Sequence, residues 1–187
     1  MKNELSSDIV EKYIKKWRIT LTGDFYCDLA MRESSNNQFA ENRLHYLGLY
    51  QVGEMALEDT GYYIKNGVHI WGGKWLGKND INSKDDFLNN RQVQEIAIRQ
   101  YHSLIWWYLR DYHDMVESLI NDIKISKAGM IAYSHLVGVG SLKHFIDSNG
   151  QEDTEDGNGV YGSDYLEAFS EHLNVDWSIP NYVKNVG

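Results

Sequence analysis

Glu33 is the first residue whose setting could do chemistry. It closes an apolar helical pattern carrying Phe25, Tyr26, Leu29 and Ala30, and the polar run Ser34-Ser35-Asn36-Asn37 comes directly after it. The chain then returns through Gly48-Leu49-Tyr50-Gln51-Val52-Gly53. A carboxylate at the end of a half-buried helix, facing a polar loop and a glycine-punctuated aromatic return, suits proton transfer in a cleft. Cleavage of a glycosidic bond needs such a group, because its acid must stay protonated near neutral pH and burial beside apolar groups can arrange that. A second carboxylate would activate water or stabilise an oxocarbenium-like centre from the other side. Glu41, Glu54, Glu58 and Asp59 are near enough in sequence to supply it. On pattern alone, a glutamate at a helix end is more often a solvated charge.

The elements that must position these groups are mostly helical. Ser6-Ser7-Asp8 offers an N-cap for a helix with Ile9, Val10, Tyr13, Ile14 and Trp17 at helical spacing, ending near Arg18. Thr22-Gly23-Asp24 punctuates the chain and caps the helix that leads to Glu33. Residues 36–48 suit a loop or short hairpin, and a helix restarts near Gly53 and runs to about Asp59, where Gly61 stops it. Tyr62, Tyr63, Trp71 and Trp75 among the glycines of 61–80 predict an irregular aromatic hairpin. Ser83 opens a further helix with Phe87 and Leu88. The longest helical stretch, about Asn90 to Tyr112, has an apolar stripe that Trp106 and Trp107 widen almost all round, as in a central buried helix. Short helices are expected over 114–123, from Ser126 to Gly138, after Ser141 and after Ser163-Asp164, with an acidic loop over 147–159 and Pro180 near a frayed tail. The fold class is mainly α with a minor β part (α+β). One helical domain spans 1–187, with a small irregular hairpin and loop lobe bordering a cleft.

A chain of 187 residues, 42% hydrophobic and 24% charged, can bury a real core. Its formal charge of −9 argues against nucleic acid or an anionic membrane as partner, since neutralising phosphate takes clustered Lys and Arg. Cys27 is the only cysteine, so an internal disulfide and a cysteine zinc cluster are excluded, and its place in an apolar pattern predicts a buried, inert thiol. His102, His113, His135 and His144 lack the i,i+4 spacing of a metal pair. Asp147-Ser148-Asn149-Gly150-Gln151-Glu152 begins like a calcium loop, but its glycine falls at the fourth position instead of the sixth. There is no Gly-rich phosphate loop and no G-x-S-x-G elbow, so neither a cofactor nor a metal is expected.

Glu33-Ser34, the asparagines after them and Gly48-Leu49-Tyr50-Gln51 resemble the "E-S … G-L-M-Q" signature of soluble lytic transglycosylases and goose-type lysozymes, within the lysozyme-like superfamily. Glu33 and Gln51 are 18 positions apart, as that pattern asks. Ile131-Ala132-Tyr133-Ser134, before Gly138-Val139-Gly140, is similar to the family's later "A-A-Y-N" helix. The two motifs cover about a quarter of the chain. The resemblance implies a lysozyme-like catalytic domain with Glu33 as general acid and Gln51 as a cleft residue bonding substrate. Tyr50 takes the place of the usual Met in the sugar groove, and Tyr133 matches the tyrosine that lies against the acid. Ser134 departs from the expected Asn, and Ser35-Asn36 from a small or Gly-containing pair. The goose-type pattern points to Glu54 as second carboxylate, one position further on than usual, and the phage-type pattern points to Glu41. Transglycosylases can work with one glutamate, because a hydroxyl of the substrate closes an anhydro ring.

The activity implied by the resemblance is that of a muramidase or lytic transglycosylase, cutting the β-1,4 bond between N-acetylmuramic acid and N-acetylglucosamine in peptidoglycan. The alternatives are an inactive glycan-binding or assembly module, or a chitinase-like enzyme. The negative charge suits an anionic wall polymer only if the cleft has a local field of its own. Met1-Lys2-Asn3-Glu4-Leu5 lacks the basic-then-apolar order of a signal peptide, and no membrane-spanning run occurs. The expectation is therefore synthesis in the cytoplasm and action in the periplasm or cell wall, after holin release of a phage lysin or injection of an antibacterial effector. An injected effector implies a secretion-system component and an immunity protein as partners.

Overall fold

Helices make up most of the regular structure in the computed structural model, which describes residues 5–173 and 175–177. Pro180 lies outside them. The architecture is mainly helical, and the strands of the described residues form two small two-stranded antiparallel sheets. Two compact units result, Met1–Asp28 with His102–Val175 and Leu29–Tyr101 with Asp176–Gly187. No helix among the described residues is long and apolar enough to cross a membrane.

The first unit is built on helix α6, Lys127–Val137, whose residues from Ala128 to Ser134 are all buried. Ser126 caps it, its hydroxyl accepting from the Gly129 N–H at 3.0 Å. Helix α8, Gly162–Ala168, packs so closely that a Cβ on Gly129 would come within 2.6 Å of the Leu166 carbonyl oxygen. Helix α1, Ser7–Trp17, covers α8 with Trp17 against Tyr165 at 5.1 Å. Lys12 and Tyr13 both bond Glu167, at 2.5 and 3.0 Å. Helix α2, Phe25–Ser34, starts in this unit. Its Asp28, 0% exposed, accepts from the Thr22 N–H and hydroxyl and from the Gly23 N–H, and pairs with the equally buried His172 at 2.8 Å.

Several expectations are corrected in this unit. Residues 114–123 do not form a helix. A 3-10 turn at Arg110–Met115 is followed by strands β3, Leu119–Ile120, and β4, Ile123–Lys124. Asn121 and Asp122 between them both take positive φ, 51° and 63°, the tight hairpin geometry that Asn and Asp tolerate. Ser141 and Ser163 are not N-caps. Helix α7, Val139–Asp147, starts one residue after Gly138, whose φ of 91° breaks α6 and re-aims the chain. Helix α8 starts at Gly162, where a Cβ would strike the Tyr133 ring at 2.4 Å. Trp107 is 57% exposed, with Arg110 over its ring at 4.4 Å, and Trp106 stacks on His113 at 3.7 Å. The two indoles are thus covered by a surface turn instead of a core. Cys27 is exposed, because Phe25, Tyr26, Leu29 and Ala30 take the buried face of α2.

The second unit holds helix α3, Glu54–Asp59, strands β1, Tyr63–Ile64, and β2, Lys74–Trp75, and helix α4, Lys84–Asn89. It also holds most of α5, Arg91–Tyr108. The hairpin is the expected aromatic one, with Tyr63 opposite Trp75. Ser83 caps α4 as expected, accepting from Asp86 N–H at 3.0 Å. Lys78 ties the 3-10 turn at Lys78–Asp80 to its neighbours, donating to the Thr60 carbonyl at 2.5 Å and to Gln100 at 2.8 Å.

Asp28→Ala strips the acceptor from His172, Thr22 and Gly23 at once. Removing one partner of a buried pair costs about 3–5 kcal/mol. Urea denaturation should register a loss of that size, and an unchanged midpoint would show that the pair is not structural.

Candidate functional site

Asp24 starts α2, its carboxylate accepting from the Cys27 N–H at 2.8 Å. The helix stops after Ser34 because Ser35 and Asn36 are both left-handed, at φ 55° and 61°. Their N–H groups return to the carbonyls of Met31 and Ala30, at 3.1 and 3.0 Å. Glycine adopts such a conformation most readily, and here a serine and an asparagine hold it. Glu33 stands half-buried in the last turn. Beside it, the Ser34 hydroxyl is shared between the carbonyls of Leu49, at 2.9 Å, and Ala30, at 3.2 Å, and accepts from the Asn37 N–H at 3.0 Å. The end of the Glu33 helix is therefore fastened directly onto the Gly48-Leu49-Tyr50-Gln51 turn.

That turn is closed by Leu47 and Val52, which exchange backbone hydrogen bonds at 2.9 Å. Leu47, Leu49, Tyr50 and Val52 are all buried, Tyr50 at 3% exposure. Gly48 has φ +74° and faces Gln94, whose Oε1 would be 2.3 Å from an added Cβ. Gln94 is 2% exposed. Its Oε1 accepts from the Leu49 N–H at 2.8 Å, and its Nε2 donates to the carbonyls of Phe87, Gln38 and Leu88 at 2.9, 3.1 and 3.3 Å. Gln51, at φ 46°, folds its Nε2 back onto the Gly48 carbonyl at 2.9 Å and the Ala40 carbonyl at 3.5 Å. Its amide nitrogen is thereby used locally, and its Oε1 is the end suited to accept from a ligand hydroxyl or amide.

The two candidate partners of Glu33 differ in their surroundings. Glu41, on the surface, lies 2.7 Å from His45 Nδ1 and 2.9 Å from Lys84 Nζ. The bonds from His45 and Lys84 hold its carboxyl below the usual glutamate range. It is built to stay ionised. Glu54, first residue of α3, accepts from the Trp71 N–H at 2.8 Å and from the Tyr63 hydroxyl. Burial raises the Tyr63 phenol, and its bond to Glu54 raises it further. Glu54 is thus engaged in holding the aromatic hairpin.

Tyr133 belongs to the first unit, whereas Glu33, Glu41, Tyr50, Gln51 and Glu54 belong to the second. It is fully buried on α6, donating to Asp153 at 3.0 Å and accepting from the Thr154 N–H at 3.4 Å. Burial first, then the Asp153 charge, pushes its phenol well above the ordinary value. Among the described residues no group of three or more His, Cys, Asp or Glu is placed to hold a metal ion.

Comparison with models of protein families, with curated proteins and with solved structures returns no match.

Sequence reasoning missed Gln94 and Arg91. Gln94 stands four residues before Ile98, on the buried side of α5 with Val93 and Ala97. A polar residue on an apolar stripe is the signal of a buried group with fixed partners. Arg91 donates to Asn36 Oδ1 at 2.8 Å and reaches the buried Glu95 at 3.3 Å, so it steadies the loop after Glu33. Ser35, Asn36, His45, Gln51 and Trp71 all take positive φ within this one unit. Non-glycine residues held so cost about 1–3 kcal/mol each and cluster at functional sites.

Gln94→Ala leaves the Leu49 N–H and the carbonyls of Phe87 and Gln38 without their partner. The expected loss is about 1–3 kcal/mol in urea unfolding, and no loss would mean that water replaces the amide without penalty. For Glu41, a lowered pKa means that its contribution to stability is present above the unfolded carboxylate range and is lost as pH falls through the folded value. Lys84→Ala should move the Glu41 carboxyl titration upward, read by carbon NMR. An unmoved titration would show that Lys84 does not hold the carboxylate charged.

Proposed function

We propose that this chain cleaves the β-1,4 bond between N-acetylmuramic acid and N-acetylglucosamine in peptidoglycan, with Glu33 as general acid. The observation that carries the reading is the Ser34–Leu49 hydrogen bond. It joins the two halves of the Glu33 and Gln51 motif, which are separate in sequence, into one piece of structure. Glu33 hands its proton to the leaving oxygen, and the Gln51 carbonyl oxygen accepts from the glycan. Buried Tyr50 acts from beneath as the floor of the turn.

Glu41 is the better second carboxylate, because its hydrogen bonds with His45 and Lys84 keep it charged for a developing oxocarbenium centre or an attacking water. Glu54 is the poorer choice, since its oxygens serve Trp71 and Tyr63. In hydrolysis the bond from the anomeric carbon to the leaving oxygen breaks as that oxygen takes the Glu33 proton, and the water that adds to the anomeric carbon gives its proton to Glu41. In transglycosylation the muramic C6 hydroxyl adds instead, closes a 1,6-anhydro ring and returns its proton to Glu33. Action in the cell wall, by release or injection, belongs to the same proposal.

Digestion of purified sacculi with mass spectrometry of the soluble products tests this. Wild type should release muropeptides, and Glu33→Gln should lower the rate by about 10²–10⁴-fold, the range for a lost general acid. Anhydro ends would identify the transglycosylase and reducing ends the hydrolase. Equal clearing by wild type and Glu33→Gln would overturn the role of Glu33, and activity on polymers lacking muramic acid would move the substrate to chitin-type glycans.

A further inference from the structure

Trp71 has no part in the acid chemistry, yet its backbone is held where bulky residues are genuine outliers, at φ 57°. Two bonds keep it there. Its N–H donates to Glu54 at 2.8 Å, and its indole Nε1–H donates to the His45 carbonyl at 2.8 Å. The indole is therefore fixed in orientation with its one polar atom already satisfied. The edge of Tyr63 meets it at 5.2 Å, and Trp75 lies within 20° of parallel at 5.8 Å. The loop leading into it is equally set. Asn66 accepts from the N–H groups of Val68 and His69, at 3.0 and 3.2 Å, and donates to the Gly72 carbonyl at 2.8 Å.

The indoles cover Tyr63 and Phe87, which are fully buried, but the rigidity goes beyond that cover. Both indoles are only half-buried, and Val68 and Ile70 beside them are 73% and 58% exposed. A strained, bolted loop that leaves a flat aromatic face accessible is organised to present it. The face is also continuous with the candidate site. His45, whose carbonyl holds the indole, carries the ring that bonds Glu41. The Tyr46 ring lies over Gly53, two residues after Gln51, where a Cβ would meet it at 2.7 Å.

We propose that Trp71, flanked by Trp75, is a saccharide subsite for the glycan strand on which Glu33 acts. The inference rests on the glycan-cleaving reading and extends it away from the acid. The occupant is an amino-sugar chain because a pyranose offers an apolar C–H face to a rigid indole and hydroxyls to the polar rim of Asn66 and His69. A pre-set aromatic anchor of this kind loses little freedom on binding.

The test uses the full chain carrying Glu33→Gln, which keeps the glycan uncut, with peptide-stripped glycan strands as the probe. Hydroxyl-radical footprinting should show protection of Trp71 and Trp75 by the strands and none of Trp107. Adding Trp71→Ala should weaken strand binding about tenfold, as for a lost aromatic anchor, with the melting temperature checked alongside. Footprinting needs no change at Trp71, so the proposal stays testable if that variant misfolds. Binding without protection of Trp71 overturns the subsite and leaves the Glu33 reading intact. Protection of Trp71 with no product release by wild type upholds the subsite and overturns the catalytic reading. Absence of strand binding, or protection by lipid vesicles instead of glycan, overturns the subsite.

Discussion

One buried amide holds the candidate site together. Gln94 sends its oxygen to the Leu49 N–H and its nitrogen to the carbonyls of Gln38, Phe87 and Leu88, so one α5 side chain ties the aromatic turn, the loop after Glu33 and the end of α4. These are backbone groups away from water, each expensive to leave unpaired. The constraint also explains Gly48. Any side chain there would occupy the position of the Gln94 carboxamide, and the backbone is at φ +74° besides. From this anchor the chain runs outward. Leu49 offers its carbonyl to Ser34, Ser34 sets the end of α2, and Glu33 stands in that last turn.

The charges are sorted by the same scaffold. Glu41 is given bonds to a Lys and a His and stays ionised, while Glu54 is given an N–H and a phenol and becomes part of the hairpin. Two carboxylates that look interchangeable in sequence thereby acquire different uses. Strain is carried by the same scaffold, since Ser35, Asn36, His45, Gln51 and Trp71 are all left-handed. Their conformations are stabilised by named hydrogen bonds, which lets a small unit keep an unusual backbone without glycine at every turn.

The helices were legible in the sequence wherever an apolar stripe met a capping residue, as at Ser83 and Ser126, whose hydroxyls do accept the expected bonds. Misreadings arose where packing overruled the cap. Ser163 lost that role to Tyr161, since the helix already begins at Gly162, where the Tyr133 ring leaves no room for a Cβ. The β3–β4 hairpin was hidden because Asn121 and Asp122 take a turn geometry that apolar periodicity does not report. In the site, Glu33 and Gln51 were legible as a spaced pair, and the bond that joins them was not. Gln94 was invisible for a different reason. Its partners are all main-chain atoms, and main-chain atoms leave no trace in residue types.

The most direct measurement is a crystal structure of the Glu33→Gln chain with an oligomer of alternating β-1,4-linked N-acetylglucosamine and N-acetylmuramic acid. The expected result is a glycosidic oxygen against the side chain at position 33, with the Gln51 side chain on the adjoining sugar. An oligomer seated away from position 33 and from Gln51 would contradict the assignment of Glu33 as the acid.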